Sequence, residues 1–165
     1  MIRLAEKNDS YAILQLLKEI AQLHHELRPD LFIGDSSKFN QESLEQLIRD
    51  KRNPVFVYVD ENDEILGHLF LEIKCPNNSV RVPVKSLYIE DLCVKSDAKN
   101  KGVGKTLMSF AKDFAKEHDC YNITLNAWFA NQNAFDFYRH LGFAPQQVQM
   151  EYVIASSKDK EEIDS

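Results

Sequence analysis

One stretch of the chain, residues 86–108, constrains the fold more than any other. It begins as an apolar run with strand character, passes through a lysine-rich connector to Gly102-Val103-Gly104, and continues into a strongly patterned helix. Glycine lets backbone N–H groups come close to a ligand, and the dipole of a helix favours negative charge at its N-terminus. The order of strand, glycine loop and helix therefore predicts a cradle for an anion such as a phosphate group.

The charge around this loop supports an anionic ligand. Lys95, Lys99, Lys101 and Lys105 are opposed only by Asp97, although the formal net charge of the whole chain is -6. The acidic balance of the whole chain argues against non-specific nucleic-acid binding. It suits a second substrate that is cationic or neutral.

Length and composition predict one globular domain. The chain has 165 residues, of which 44% are hydrophobic and 28% are charged. We expect the domain over residues 1–155 and a charged tail over residues 156–165. There is no signal sequence with an apolar core and no run of the ~20 apolar residues that span a bilayer, so we expect no membrane association. The three cysteines fit neither a disulfide framework nor a metal site, which favours a reducing cytoplasm and no metal.

Hydrophobic periodicity predicts the element order β-α-α-β-β-β-α-β-α-β. The strands are expected at residues 1–5, 55–59, 65–73, 87–94, 121–127 and 148–154. A strand, a crossover helix and a second strand form a right-handed unit with parallel strands. The prediction is a single α/β domain with three layers and a mixed central sheet, in which strands 87–94 and 121–127 are parallel.

Three readings of the glycine loop are open at this point. Gly104-Lys105-Thr106 matches the end of the P-loop pattern G-x-x-x-x-G-K-[ST], but the first glycine of that pattern would fall at Lys99. The dinucleotide pattern G-x-G-x-x-G fails at Leu107, where the third glycine would stand. The third reading is a tight turn with no phosphate.

A second motif, which ends at Phe143, decides between these readings. It follows the pattern N-x-x-A-x-x-x-Y-x-x-x-G-F, with matches at Asn131, Ala134, Tyr138, Gly142 and Phe143. The glycine loop at residues 99–104 follows the pattern [RQ]-x-x-G-x-[GA] apart from its first position. Together the two motifs resemble the GNAT superfamily of acyl-CoA-dependent N-acetyltransferases, in a small bacterial-type form. The departure is Lys99, where the family usually has Gln or Arg, because lysine keeps the charge but lacks the guanidinium fork.

The resemblance implies acetyl-CoA as the acetyl donor. Its pyrophosphate would bind backbone N–H groups of residues 99–105. Its pantetheine arm would pair like an extra strand with residues 92–94, in a slot where that strand splays from its parallel neighbour near residue 125. The candidate cofactor-binding residues are Leu92, Cys93, Val94, Lys99, Asn100, Lys101, Gly102, Val103, Gly104, Lys105, Asn131 and Tyr138.

Acetyl transfer requires a neutral amine, a polarised thioester carbonyl and a proton for the departing thiolate. The resemblance places the proton donor at Tyr138; the alternative is a tyrosine of the core. We expect Glu90 to be the general base, directly or through a water, or to anchor a cationic amine together with Asp91. Strand alternation puts these two carboxylates on opposite faces unless a β-bulge intervenes.

The acceptor pocket is expected near the end of the first long helix. His24 or His25, of which we favour His25, would contact the substrate there with Phe32 and Trp128. Cys93 beside the thioester allows an acyl-cysteine route, which is disfavoured because no histidine adjoins it. The other histidines, His68 among them, carry no visible signal.

The sequence thus predicts an N-acetyltransferase that acts by direct attack of a primary amine, with a small cationic amine as the favoured acceptor. One alternative is acetylation of a protein lysine or an N-terminal amine. Another is a non-catalytic CoA-binding sensor with the same fold. A homodimer is left open.

Overall fold

The structure, a computed structural model, describes residues 1–155, so the tail expected at residues 156–165 lies outside the described residues. A five-stranded mixed sheet lies between helices on both of its faces. Its strands are β1 (Ile2–Leu4), β2 (Val55–Val59), β3 (Ile65–Lys74), β4 (Ser86–Val94) and β5 (Asn122–Leu125). The α-helices are α1 (Ser10–Leu27), α2 (Gln41–Arg49), α3 (Val103–Glu117) and α4 (Gln132–His140). The predicted three-layer α/β class is confirmed.

The strands lie in the sheet in chain order, from β1 to β5. Neighbours from β1 to β4 are antiparallel, and β4 and β5 are parallel, as a crossover through α3 requires. The parallel pairing covers only Ser86 to Ile89 of β4, whereas β4 continues to Val94. Beyond Ile89, no strand among residues 1–155 pairs with the outer edge of β4. The predicted splay of the two parallel strands is confirmed.

Two hydrophobic cores lie on opposite faces of the sheet. On one face, Leu69 and Leu87 are fully buried against Leu107 of α3. On the other face, Phe70 is buried with Ile13 of α1. Each large side chain buried in this way contributes about 1.5–3 kcal/mol relative to an exposed one. The sheet is therefore held rigidly between α3 and the pair of helices α1 and α2.

A β-bulge interrupts β4 at Glu90. Phe70 of β3 lies opposite Asp91, but the next residue, Leu71, lies opposite Ile89, so Glu90 is the extra residue. Ile89 packs into the core beneath α3, whereas Cys93, four residues later, packs into the core beneath α1. In a regular strand these two residues would share a face. The bulge thus reverses the alternation for the second half of β4.

The final strand predicted at residues 148–154 is wrong. In the described part of the chain this segment has no regular structure and pairs with no strand, and α4 is the last helix or strand. Its alternate apolar side chains, from Val148 to Ile154, are exposed. The alternation is present in the sequence, but a strand also needs a sheet edge with which to pair. Among residues 1–155, this segment pairs with no sheet edge.

Candidate active site

The outer edge of β4 forms the first part of the candidate site. Leu92, Cys93 and Val94 lie on the part of the strand that has no partner on this edge in the described residues. A groove of about 520 Å³ runs beside it, lined by side chains of α1 and by Cys93, Val94 and Lys99. The amide groups of an extended ligand can pair with such an edge as another strand would.

The glycine loop turns the chain from β4 into α3. Asn100 has φ 67° and Gly102 has φ 81°, so both lie in the left-handed region. A Cβ on Gly102 would meet nothing within 4 Å, so glycine serves the backbone conformation there. A Cβ on Gly104 would lie 3.0 Å from Cζ of Phe137, so this glycine permits α3 to pack closely against α4.

The start of α3 presents free donors to a ligand. Its first helical hydrogen bond runs from the N–H of Thr106 to the carbonyl oxygen of Gly102, so the N–H groups of residues 103–105 have no partner within the helix. Lys99, Lys101 and Lys105 make no ion pair among residues 1–155. Lys95 instead pairs with glutamate and aspartate side chains outside the loop. Three of the four expected lysines are therefore available to an anion.

Asp91 lies beside a buried histidine. His68 of β3 is 0% exposed, and its Nε2 lies 2.5 Å from Oδ2 of Asp91. A carboxylate only accepts hydrogen bonds, so Nε2 of His68 carries the proton. The other ring nitrogen, Nδ1, is buried and has no hydrogen-bond partner in the described chain. An unpaired buried polar atom costs about 1–3 kcal/mol, so Nδ1 of His68 lowers the stability of the fold.

Glu90 follows a different course from its neighbour. Its Oε1 lies 2.6 Å from Nζ of Lys38, in the loop between α1 and α2. The two adjacent carboxylates thus have different partners: Asp91 bonds to a buried imidazole and Glu90 to an exposed lysine.

An aromatic cluster lies where the loop after α1 meets the loop after β5. The rings of His24 and Phe32 have centroids 5.0 Å apart, and Trp128 meets Phe32 edge-on at the same distance. Burial lowers the pKa of His24, although the nearby Asp91 opposes the shift, so this imidazole is neutral at pH 7. Phe32 and Trp128 are thus brought together as expected, and His24 is part of their cluster.

His25 holds the loop after α1 in place. Its Nδ1 lies 2.7 Å from the carbonyl oxygen of Phe32, and its ring lies directly beneath Gly34. The substrate contact that the sequence favoured for His25 stays a prediction. The geometry makes His24 the stronger candidate of the two.

Tyr138 on α4 is partly buried, and its ring meets that of Phe143 edge-on at 5.8 Å. Burial raises the pKa of Tyr138 to about 12, and Asp91 and Cys93 shift it in the same direction. The phenol is therefore protonated at any physiological pH. Its hydroxyl makes no hydrogen bond within residues 1–155. Asn131 caps α4, because its side-chain oxygen accepts a hydrogen bond from the N–H of Ala134 at 3.2 Å.

Cys93 is poorly suited to act as a nucleophile. Burial raises the pKa of its thiol to about 12, and Asp91 adds to the shift. Its Sγ lies 3.6 Å from the carbonyl oxygen of Leu16, to which the thiol donates. The thiolate is the reactive form, and it is scarce at this pKa.

Two side chains at the site were not predicted from the sequence. His68 lies 23 residues before Asp91, and Lys38 lies 52 residues before Glu90. The only local signal was a histidine among the apolar residues of β3.

No three His, Cys, Asp or Glu side chains of the described residues are grouped to hold a metal ion. Among the helices described, none has the length and apolarity to cross a membrane.

The family model described as "Acetyltransferase (GNAT) family" matches residues 20–143, which is well over half of the chain. The chain belongs to this family. The match runs from α1 to the Gly142-Phe143 turn after α4, so it includes both motifs and every element that contributes to the site.

Three bacterial acetyltransferases are among the relatives. The uncharacterised N-acetyltransferase YhfO of Bacillus subtilis is 28% identical over 86% of this chain and 88% of its own length. Streptothricin acetyltransferase of Streptomyces lavendulae is 29% identical over 69% of this chain and 56% of its own. An uncharacterised N-acetyltransferase of Lactobacillus delbrueckii is 29% identical over 53% of this chain and 50% of its own. The chain thus spans about half the length of two of these three relatives.

Solved structures share the fold. A variant of the BH1408 protein of Bacillus halodurans superimposes with a TM-score of 0.89 at 25% identity, over 93% of this chain and 99% of its own. The aminoglycoside acetyltransferase meta-AAC0020, from an uncultured soil metagenomic sample, has a TM-score of 0.66 at 25% identity, over 94% and 96% of the two chains.

The three cysteines are free thiols, and their environments predict different reactivities. We expect iodoacetamide to alkylate the exposed Cys75 first and the half-buried Cys120 more slowly. Cys93 should be alkylated only after denaturation, because burial raises the pKa of its thiol to about 12. Peptide mass spectrometry of the native protein measures the order. The Cys75→Ser variant, as a control, should lose the fast phase alone. Rapid alkylation of native Cys93 would contradict its assignment as inert and restore the acyl-cysteine route.

Proposed function

We propose that this protein transfers an acetyl group from acetyl-CoA to the primary amine of a small cationic molecule, by direct attack of the amine. The supporting observation is a convergence around the second half of β4. An unpaired strand edge, a helix N-terminus with free donors, a protonated tyrosine and a carboxylate held by a buried histidine all lie there.

The residues present fit CoA in two ways. The backbone of residues 92–94 offers an unoccupied strand edge, within the described chain, to the amide groups of pantetheine. The N–H groups at the start of α3 and the unpaired Lys99, Lys101 and Lys105 suit the phosphates. Acetyl-CoA, when bound, supplies the acetyl group as an activated thioester.

Asp91 is the favoured group to receive the proton of the amine. An alkylamine with a pKa of ~10 is protonated at pH 7 and must lose a proton before it can attack. The hydrogen bond from His68 fixes Oδ2 of Asp91 and leaves Oδ1 free to meet the ammonium group. Glu90, the base that the sequence favoured, stays a candidate, but its Oε1 would first have to leave Lys38.

Tyr138 is suited to donate a proton to the departing thiolate. Its raised pKa, about 12, keeps the hydroxyl protonated, and that hydroxyl has no competing partner in the described chain. The released thiol carries this proton away and leaves a tyrosinate, which is a stronger base than a thiolate and takes a new proton from solvent, so Tyr138 returns to its neutral form.

The proposed acceptor follows from the walls of the site. The rings of Phe32 and Trp128 offer π faces to a cation, and Asp91 and Glu90 supply negative charge beside them. Two relatives are named for streptothricin and for aminoglycosides, which supports a small molecule with amino groups. The three free thiols support a reducing compartment such as the cytoplasm.

A panel of amines tests the proposed reaction. Acetyl-CoA and enzyme are combined with polyamines, aminoglycosides, amino-acid derivatives, and peptides that carry a lysine or a free N-terminus. We expect loss of the thioester absorbance and an acetylated small amine by mass spectrometry. Tyr138→Phe should lower kcat about 10²-fold with little change in the affinity for CoA, because it removes only the proton donor.

Two outcomes of the panel would contradict the proposal. Tight CoA binding without turnover on any amine would indicate a CoA sensor. Acetylation of peptides alone would indicate a protein acceptor. Unchanged kcat in Tyr138→Phe would remove this residue from the proton-donor role.

An isosteric pair of variants separates the two carboxylates. Asp91→Asn should lower kcat/KM about 10²-fold and flatten the acid limb of its pH profile, because the amide cannot take up a proton. Glu90→Gln should have a much smaller effect, because its carboxylate faces Lys38. Steady-state rates across the pH range measure both. A flattened acid limb in Glu90→Gln, with a normal limb in Asp91→Asn, would assign the base to Glu90 instead.

A further inference from the structure

Asp91 turns its side chain to the face of the sheet that α1 and α2 cover. Its partner His68 is fully buried on that face, and the ring of His68 lies 4.7 Å from that of Phe70. Phe70 belongs to the core that contains side chains of α1 and α2. The carboxylate proposed to take up the proton of the amine therefore faces the layer that these two helices form.

Lys38 approaches Glu90 from the same face. It lies in the loop between α1 and α2, next to Phe39, whose ring centroid is 6.1 Å from that of Phe70. The loop is thereby anchored on the same ring that contacts His68. From this anchor the side chain of Lys38 reaches Glu90, with its Nζ 2.6 Å from Oε1. Both carboxylates at the β-bulge thus have partners on the side of α1 and α2.

The contact between Lys38 and Glu90 joins an ammonium group to a carboxylate beside the proposed acceptor site. The side chain of Lys38 is 63% exposed and that of Glu90 is 25% exposed. An ion pair this open to water adds little to stability, so another cation can replace it readily. Lysine also has a flexible stem, which lets its ammonium group leave while the backbone stays in place. The chain thus holds at Glu90 the kind of group that a cationic acceptor brings.

We propose that Lys38 is a specificity-determining residue, because it occupies Glu90 until a second ammonium group of the acceptor displaces it. The inference rests on the proposed acetyl transfer, since it concerns the acceptor of that reaction. The amine that reacts meets Asp91, and a second amino group of the same molecule replaces Nζ of Lys38 at Glu90. The acceptor class is therefore a small molecule with more than one amino group.

The resident lysine acts as a built-in competitor. A second ammonium group gains the contact with Glu90 only when that carboxylate loses the contact from Lys38, so the affinity for a diamine is held down. A hydroxyl group at the same position of the acceptor carries no charge and leaves the ion pair in place. Lys38 therefore sets the affinity for acceptors with a second charge relative to those with one charge.

Matched acceptors and a double-variant cycle test the proposal on the full chain. Diaminobutane and aminobutanol, with their shorter and longer homologues, differ only in the second polar group. Lys38→Met should lower KM for the diamine about fivefold, the upper value for an exposed ion pair, and should change KM for the amino alcohol much less. The effect should fall on KM rather than kcat, because Glu90 contacts the part of the acceptor that does not react. In a Glu90→Gln background, Lys38→Met should no longer distinguish the two acceptors.

A control variant removes the same charge elsewhere. Lys116 is exposed on α3, which packs on the other face of the sheet, so Lys116→Met should behave as the wild type with both acceptors. Calorimetric titration of diaminobutane into the protein with CoA should give the same order of affinities as KM. This second readout requires no turnover.

The outcomes separate this inference from the proposed reaction. Binding of the diamine in the expected order without turnover would overturn the acetyl transfer alone. An unchanged KM for the diamine in Lys38→Met would overturn the inference and leave the acetyl transfer standing. An equal change for the amino alcohol, or an equal change in the Glu90→Gln background, would overturn it in the same way. A protein that neither binds nor acetylates diamines would also overturn it, whatever other amines it uses.

Discussion

One extra residue in a strand determines how the site is built. Because side chains alternate along a strand, the bulge at Glu90 transfers every later side chain of β4 to the other face. Ile89 therefore packs beneath α3, and Asp91 turns towards α1, where His68 can donate a hydrogen bond to it. Without the bulge, Asp91 would enter the apolar core beneath α3 as an unpaired carboxylate, which is costly. The hydrogen bond from His68 to Asp91 thus depends on an irregularity in the backbone.

The shortness of β5 has a second consequence. Its pairing with β4 ends at Ile89, so the half of β4 beyond the bulge keeps an unsatisfied edge within the described residues. That edge continues into the left-handed turn at Gly102 and the N-terminus of α3. The strand edge presents backbone donors and acceptors, and the start of the helix presents donors. Together they suit a long ligand with amides at one end and phosphates at the other. The sheet thus offers a carboxylate on one face and, at its edge, an unpaired stretch of strand that suits such a ligand.

Sequence patterns predicted most of the fold because the patterns that matter are local. The glycine loop and the motif around Tyr138 indicated the family, the parallel pair and its splay, and all three are confirmed. The sequence allowed a β-bulge near Glu90 and Asp91 but did not locate one, because its position depends on the pairing of β3 with β4. The partners of Asp91 and Glu90 were beyond local patterns, because His68 and Lys38 approach them only through the tertiary fold. The strand predicted at residues 148–154 is wrong for a related reason. Alternation shows that a segment is able to pair as a strand, but it does not show whether a sheet edge lies beside it.

The central claim is that CoA binds along the second half of β4 and over the start of α3. Titration of CoA into the ¹⁵N-labelled protein, followed by backbone amide NMR, tests it most directly. The account predicts that the largest shift changes fall on the amides of residues 92–94 and 101–105. Smaller changes are expected around Tyr138. Shift changes confined to other surfaces, such as the groove lined by Met1, Tyr58 and Leu66, would contradict the account.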